Sequence, residues 1–409
     1  MLASIANGET RIDNFATSED CSSTVSCLRS LGVQIARDGN TVVVKGVGKT
    51  GFTPPVEPLD CGNSGTTMRL LSGILAGQNF KSVLIGDESL QKRPMKRIIA
   101  PLTSMGADIS SDDGRAPMTI SGKQPLTAIE YQPPVASAQI KSCVLLAGLN
   151  SNGVTSVVEP VQTRDHTERM LRWLGVDVKI EQSPEGTRIA VSGDATLTAR
   201  DLIVPSDISS AAFFMVAAAC LGKSEIALPN VGFNASRAAI YHVLRDLGAD
   251  IRLTDQRDVN NEPVATLRVF GNISATNGTR PNLVNGETIA NLIDEIPILA
   301  IFGTQIEGGL EIRDAAELRV KESDRIAAVV ENLRGMGAAV EEFPDGFKVE
   351  RSKLTGAEID SFGDHRIAMA FAVAGLMATG ETSILGAGSA DVSFPGFFET
   401  LQSVVVSNE

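Results

Sequence analysis

Lys321, Glu322, Ser323, Asp324 and Arg325 follow one another without a break. The four-residue spacing of Lys321 and Arg325 predicts that both project from one helix face, where two like charges repel unless an anion sits between them. Glu322 is then either their salt-bridge partner or a carboxyl group tuned by cationic neighbours for proton transfer. His365, directly before Arg366, is either a packing histidine at a helix start or a second group that handles protons.

Further polar clusters open strongly apolar stretches. They read Asn63-Ser64-Gly65-Thr66-Thr67-Met68-Arg69, Ser137-Ala138-Gln139, Asp207-Ile208-Ser209-Ser210, Asp294-Glu295 and Asp364-His365-Arg366. Ser, Asn and Asp are ordinary N-cap residues, so capping accounts for many of them. Arg69 and Arg366 are different, because a cation at a helix N-terminus opposes the macrodipole unless an anion lies there as well. Lys92-Arg93 before Pro94 and Arg164 before Asp165 add to the excess of cations, although Lys92 alone, and Arg319, read as solvated charges. If these helix starts converge on one interdomain cleft, the cleft is a positive pocket for a small polyanion.

The elements that must carry these residues repeat. The signature L-x-x-[LM]-G-[AV]-x-[VI] occurs at Leu28–Ile35, Leu102–Ile109, Leu171–Val178, Leu244–Ile251 and Leu333–Val340, with a degenerate sixth copy from Leu401. Its Gly suits a helix C′ position at positive φ, and the apolar alternation beyond it reads as a strand. Most copies lead into a second strand-like run, as at Thr41–Gly46 and Met118–Gly122. A second series of helix-to-strand joints alternates with the first, at Gly8, Gly77, Gly153, Gly222, Gly308 and Gly380. Each repeat reads helix, strand, helix, strand, strand. Six repeats divide into two similar α/β domains, over 1–205 and 206–409, with the fourth repeat opening at Asp207.

Composition narrows the partners. The chain of 409 residues has a formal charge of −13, which argues against nucleic acid or an anionic membrane as partner. No apolar run approaches the ~20 residues of a membrane helix, and the start MLASIANGET lacks the basic flank of a secretory signal. Five cysteines without C-x-x-C pairing suit a reducing compartment, so the expectation is a cytoplasmic protein. Three histidines do not suggest a metal site.

The segments NSGTTMRLLSG, LQKRPM, SAQIKSCVLLAGL, TRDHTERML, LIDEIP, LRVKESDRI, GDHRIAMAFAVAGL and SFPGFF resemble those of the 5-enolpyruvylshikimate-3-phosphate synthases, nearly end to end. The resemblance implies an α/β fold of two domains, each three βαβαββ units in an inside-out α/β barrel, around an active-site cleft. It implies transfer of the enolpyruvyl group of phosphoenolpyruvate to the 5-hydroxyl of shikimate 3-phosphate, with no cofactor or metal, by a monomer. It further implies that Gly65, Arg93, Arg325 and Arg366 hold phosphoenolpyruvate, and that Ser137, Gln139 and Arg164 hold the shikimate phosphate side, Gln139 reaching both. Asn63, Thr66 and Arg69 support them. Asp294 would accept the proton of the attacking hydroxyl, Glu322 would protonate the methylene, and Lys321 would hold the charge between the substrates, with His365 as a further proton-handling candidate.

Two departures accompany the resemblance. Asp391-Val392 stand where the family sometimes has a late lysine. The family's P-G-[DS]-K-S-x-S-x-R segment has no counterpart ahead of Gly8, which leads to the expectation of a weak or inactive chain with a shortened first helix. The rival readings are a UDP-N-acetylglucosamine enolpyruvyl transferase, whose usual loop cysteine is absent from Asp87–Met95, and a non-catalytic anion-binding fragment of a split enzyme.

Overall fold

The computed structural model describes residues 1–274 and 282–405. The chain forms two compact units, Met1–Val204 and Pro205–Glu409.

The repeated leucine signature has a packing cause. Leu28 and Leu31, Leu102 and Met105, Leu171 and Leu174, Leu244 and Leu247, and Leu333 and Met336 are all buried. Each pair forms the inward stripe of a surface helix, and each such side chain contributes about 2 kcal/mol by leaving water. The glycines that follow, Gly32, Gly106, Gly175, Gly248 and Gly337, all have positive φ, between 82° and 102°. They end the helix and turn the chain into the outer hairpin.

In the first unit the second repeat gives the pattern in full. A short strand, Leu59–Asp60, leads to the helix Gly65–Ala76 and the strand Lys81–Ile85; the helices Glu88–Lys92 and Lys96–Ser104 follow, then the hairpin Asp108–Asp112 and Arg115–Ser121. The short strand pairs parallel to Lys81–Ile85, and the rest of the sheet is antiparallel. The third repeat copies this with Glu130–Tyr131, Ala138–Gly148, Val154–Glu159, His166–Trp173, Lys179–Ser183 and Gly186–Ser192. The first repeat borrows its short strand, Leu202–Ile203, from the end of the unit, where it pairs parallel to Asn7–Asp13.

The first helix of each repeat is the interior one. Gly65–Ala76 packs on Ala138–Gly148, so closely that a Cβ on Gly73 would stand 2.3 Å from the Cys143 carbonyl oxygen. In the second unit Ile208–Cys220, Ile296–Gly303 and His365–Gly375 all pack on one another. These helices are apolar nearly all round, whereas the strands alternate buried and exposed positions, as in Arg115–Ser121. Helices inside and sheets outside make each unit an inside-out α/β barrel.

Three local expectations need correction. The sixth repeat has no hairpin among the described residues: the degenerate signature at Leu401 lies in the helix Phe397–Val404, because Val404 and Val405 supply no helix-ending glycine. Lys321 and Arg325 do not share a helix face, since Ala316–Val320 is a 3₁₀ turn, Lys321 has extended ψ, and the next helix begins at Arg325. Arg319, expected as a solvated charge, instead pairs with Asp324 at 2.8 Å and Glu342 at 2.9 Å, whereas Lys92, at the end of the helix Glu88–Lys92, is exposed. The first helix, Leu2–Ile5, is a single turn.

Candidate active site

In the first unit, the residues before Gly65–Ala76 form a polar ring. The Ser64 hydroxyl caps the helix by accepting from the Thr67 N–H. Arg69 donates to the Gln139 side-chain oxygen at 2.6 Å, and the Gln139 amide donates to the Thr66 hydroxyl at 3.0 Å, joining the second and third repeats. Arg93 donates to Asn63 at 3.2 Å, and Asn63 donates to Asp87 at 2.9 Å. Gly65 lies against this pair of guanidiniums: a Cβ there would be 3.1 Å from Arg69 Nη1 and 3.4 Å from Arg93 Nη1. The absent side chain leaves room for a ligand to approach the helix N-terminus, where backbone N–H groups favour an anion.

Ser137 is the N-cap of the helix carrying Gln139, its hydroxyl accepting from the Ile140 N–H at 3.4 Å. Arg164 lies half-buried in the segment between Val154–Glu159 and His166–Trp173. Further along the helix that Ser137 opens, Lys141 is fully buried between Glu159 and Glu168.

In the second unit, Arg325 is the organising group. Its side chain is 2% exposed and contacts three carboxylates: Asp364 Oδ2 at 2.8 Å, Glu322 Oε2 at 2.7 Å and Asp294 Oδ1 at 3.5 Å. Asp364, fully buried, also caps its own helix by accepting from the Arg366 N–H at 2.8 Å, and accepts from the Ser323 hydroxyl at 3.2 Å. Burial pushes the Asp364 carboxyl up, but Arg325 outweighs it and holds the group below the usual carboxylate range. Asp294 and Glu322 each keep 24% of their side chains exposed, so both carboxylates reach solvent while sharing one cation. His365 is pushed down to about 4 by burial, then by the neighbouring Arg366, which makes it a neutral imidazole at neutral pH.

Arg366 faces a second cluster. It donates to the Ser209 hydroxyl at 2.6 Å, and Ser209 in turn donates to the buried Glu295. Its guanidinium also stands 5.8 Å from the centre of the Phe213 ring. Asp207 caps the helix Ile208–Cys220 and takes a 2.9 Å ion pair from Arg237. Partial burial raises the Asp207 carboxyl, yet 43% of its side chain remains exposed, and Arg237 with Arg366 outweighs that penalty to bring it to about 2. Burial raises the Glu295 carboxyl against the pull of Arg366 and Arg237.

The structure therefore joins Asn63, Gly65, Thr66, Arg69, Arg93 and Gln139 in the first unit, and Asp294, Glu322 and Arg325, with His365 through Asp364, in the second. Lys321 stands outside the second cluster and pairs with Glu317 at 3.4 Å. Sequence reasoning did not assign roles to Asp364, Glu295 or Arg237, or to Lys141 with its two glutamates. Asp364 carries a signal, an acidic N-cap placed before His-Arg, but its service to Arg325 needs the tertiary fold.

The EPSP synthase (3-phosphoshikimate 1-carboxyvinyltransferase) family profile matches residues 1–401. A 3-phosphoshikimate 1-carboxyvinyltransferase of Pelotomaculum thermopropionicum is 53% identical, the match covering 99% of this chain and 93% of that protein. One from Solibacter usitatus is 49% identical over the same shares. The solved structure of EPSP synthase from Acinetobacter baumannii superposes with a TM-score of 0.89 at 42% identity, covering 100% of this chain and 92% of the other. With interior helices, six related repeats and two polar helix-start clusters alike accounted for, the chain belongs to the EPSP synthase family.

Proposed function

We propose that this chain transfers the enolpyruvyl group of phosphoenolpyruvate to the 5-hydroxyl of shikimate 3-phosphate and releases inorganic phosphate. The first unit contributes Gly65 and Arg93 toward phosphoenolpyruvate, and Ser137, Gln139 and Arg164 toward the phosphate of the second substrate. The second unit contributes Arg325 and Arg366 toward phosphoenolpyruvate, Lys321 between the substrates, and the two carboxyl groups that move protons.

Glu322 delivers a proton to the methylene carbon of phosphoenolpyruvate, C2 becomes electrophilic, and the 5-hydroxyl oxygen bonds to C2 as its proton passes to Asp294. Asp294 then passes its proton to the phosphate as the C2–O bond breaks, and Glu322 takes back one methyl proton as the double bond re-forms, which returns both carboxyl groups to their starting states. Burial and Arg366 oppose protonation of His365, so the two carboxyl groups rather than this imidazole carry the transferred protons.

The observation that carries this reading is the sharing of one buried guanidinium, Arg325, by the solvent-reaching carboxylates of Asp294 and Glu322. The enzyme acts in the cytoplasm as a monomer and without nucleic acid. The five unpaired cysteines and the −13 charge support that setting, and no helix among the described residues is long and apolar enough to cross a membrane. Phosphate release measured with both substrates tests the activity: release requiring phosphoenolpyruvate and shikimate 3-phosphate together is expected. Release with UDP-N-acetylglucosamine instead of shikimate 3-phosphate overturns it. Sedimentation analysis checks the monomer.

A further inference from the structure

The third repeat buries three charges that no proton transfer uses. Lys141, Glu159 and Glu168 are 0%, 3% and 1% exposed, and the Lys141 ammonium lies 2.9 Å from Glu159 Oε2 and 2.7 Å from Glu168 Oε1. Buried ion clusters are seldom a net gain over well-packed apolar side chains, so the arrangement is best judged by what it fastens together. Lys141 belongs to the helix Ala138–Gly148, and its N–H donates to the carbonyl of Ser137, the N-cap, at 3.1 Å. Glu159 ends the strand Val154–Glu159, and Glu168 lies in the first turn of His166–Trp173.

Glu159 also accepts from the hydroxyl and, at 3.4 Å, the N–H of Thr163, the residue directly before Arg164. A second bridge joins the same helices, with the Ser142 and Thr167 hydroxyls 2.7 Å apart. The Glu168 Oε2 atom is buried without a hydrogen-bond partner, and burial raises that carboxyl. The cluster thus ties the segment carrying Arg164 to the helix that Ser137 opens and Gln139 occupies.

We infer that Lys141 is a positioning residue for the phosphate of shikimate 3-phosphate: through Glu159 and Thr163 it sets the place of Arg164 relative to Ser137 and Gln139. The inference rests on the reading above, in which those three residues hold that phosphate. Guanidinium recognition of a phosphate depends on placement to within a fraction of an ångström, so loosening the clamp weakens one substrate selectively.

Calorimetric binding of shikimate 3-phosphate, which needs no turnover, tests this on the full chain, with KM for each substrate measured alongside. Thr163→Val leaves all three charges in place and removes one bond of the clamp, whereas Lys141→Met removes its centre. Lys141→Met is expected to weaken shikimate 3-phosphate binding by about tenfold or more, and Thr163→Val by about threefold or more, with the KM for phosphoenolpyruvate little changed. Variants that melt earlier yet bind shikimate 3-phosphate as the unsubstituted protein does overturn the inference and leave a purely structural cluster. If Lys141→Met does not fold, Thr163→Val decides alone. If the unsubstituted protein fails to bind shikimate 3-phosphate, the functional reading itself falls, visibly before any variant is compared, and the inference falls with it.

Discussion

Arg325 Nη2 donates to Glu322 Oε2 at 2.7 Å, which ties the intended proton donor to a guanidinium that is 2% exposed. A carboxyl group beside a cation favours its ionised form, the wrong state for delivering a proton. Phosphoenolpyruvate resolves the conflict on the proposed reading, because its negative charges near Arg325 and Arg366 offset the guanidinium and raise the proton affinity of Glu322.

Glu322→Gln keeps a hydrogen-bond acceptor for Arg325 but has no proton to transfer at this step. The expected outcome is a fall in kcat of about 10²-fold or more, the usual span for removing a general acid or base, with a much smaller change in the KM for phosphoenolpyruvate. Steady-state kinetics check it, and a kcat close to that of the unsubstituted protein means that the proton comes from elsewhere.

Asp364→Asn addresses stability. Asp364 is fully buried, takes two hydrogen bonds from Arg325 and one from Ser323, and caps the helix that follows. Asparagine retains a capping oxygen, yet Arg325 loses the partner that is buried with it, which costs on the order of 3 kcal/mol. Urea unfolding followed by far-UV dichroism should show a lower midpoint for the second unit's transition with a similar slope. An unchanged midpoint shows that Glu322 and Asp294 compensate Arg325 by themselves.

His365 gives a pH dependence with a definite sign. Burial and then Arg366 lower its folded-state value from 6.5 to about 4, so between those values the unfolded chain takes up a proton that the folded chain refuses. Stability therefore rises with pH through that window and falls as the solution is acidified, by roughly 3 kcal/mol across the whole window for this group. His365→Gln is expected to flatten the loss of unfolding free energy between about pH 6.5 and 4. Parallel pH profiles for the two proteins mean that other groups produce the acid sensitivity.

The repeat architecture was legible because its signal is local. A helix stripe of Leu-x-x-Leu followed by Gly specifies both the buried face and the turn, and the positive φ of Gly32, Gly106, Gly175, Gly248 and Gly337 follows from that chemistry. The helix-start clusters were legible for the same reason, since Ser64, Ser137, Asp207, Asp324 and Asp364 all cap with their own side chains. Spacing misled at Lys321 and Arg325, where four residues suggest a shared helix face and the backbone instead leaves a 3₁₀ turn before the helix begins. Glu322 was legible as a local ion-pair partner of Arg325, but the other partners were not: Asp294 and Asp364 lie 31 and 39 residues from Arg325, Ser209 lies 157 residues from Arg366, and Glu159 and Glu168 reach Lys141 only once the third repeat has folded.

Gly65→Ala probes the first unit's cluster. A methyl group there meets Arg69 Nη1 at 3.1 Å, which must give by a few tenths of an ångström, and touches Arg93 Nη1 at 3.4 Å. Arg69 Nη1 is the far end of a long side chain, so the fold accommodates the change at a cost within about 1 kcal/mol, and the thermal midpoint moves little. The methyl group also occupies space above the helix N-terminus, where an anion would meet the two guanidiniums. A ligand held there loses contact with one of them, and the expected result is a rise in the KM for phosphoenolpyruvate of about tenfold, with shikimate 3-phosphate binding nearly unchanged because Ser137 and Arg164 lie on other elements. Equal weakening of both substrates places the two binding functions at one shared position near Gly65, and no weakening of either removes phosphoenolpyruvate from this helix start.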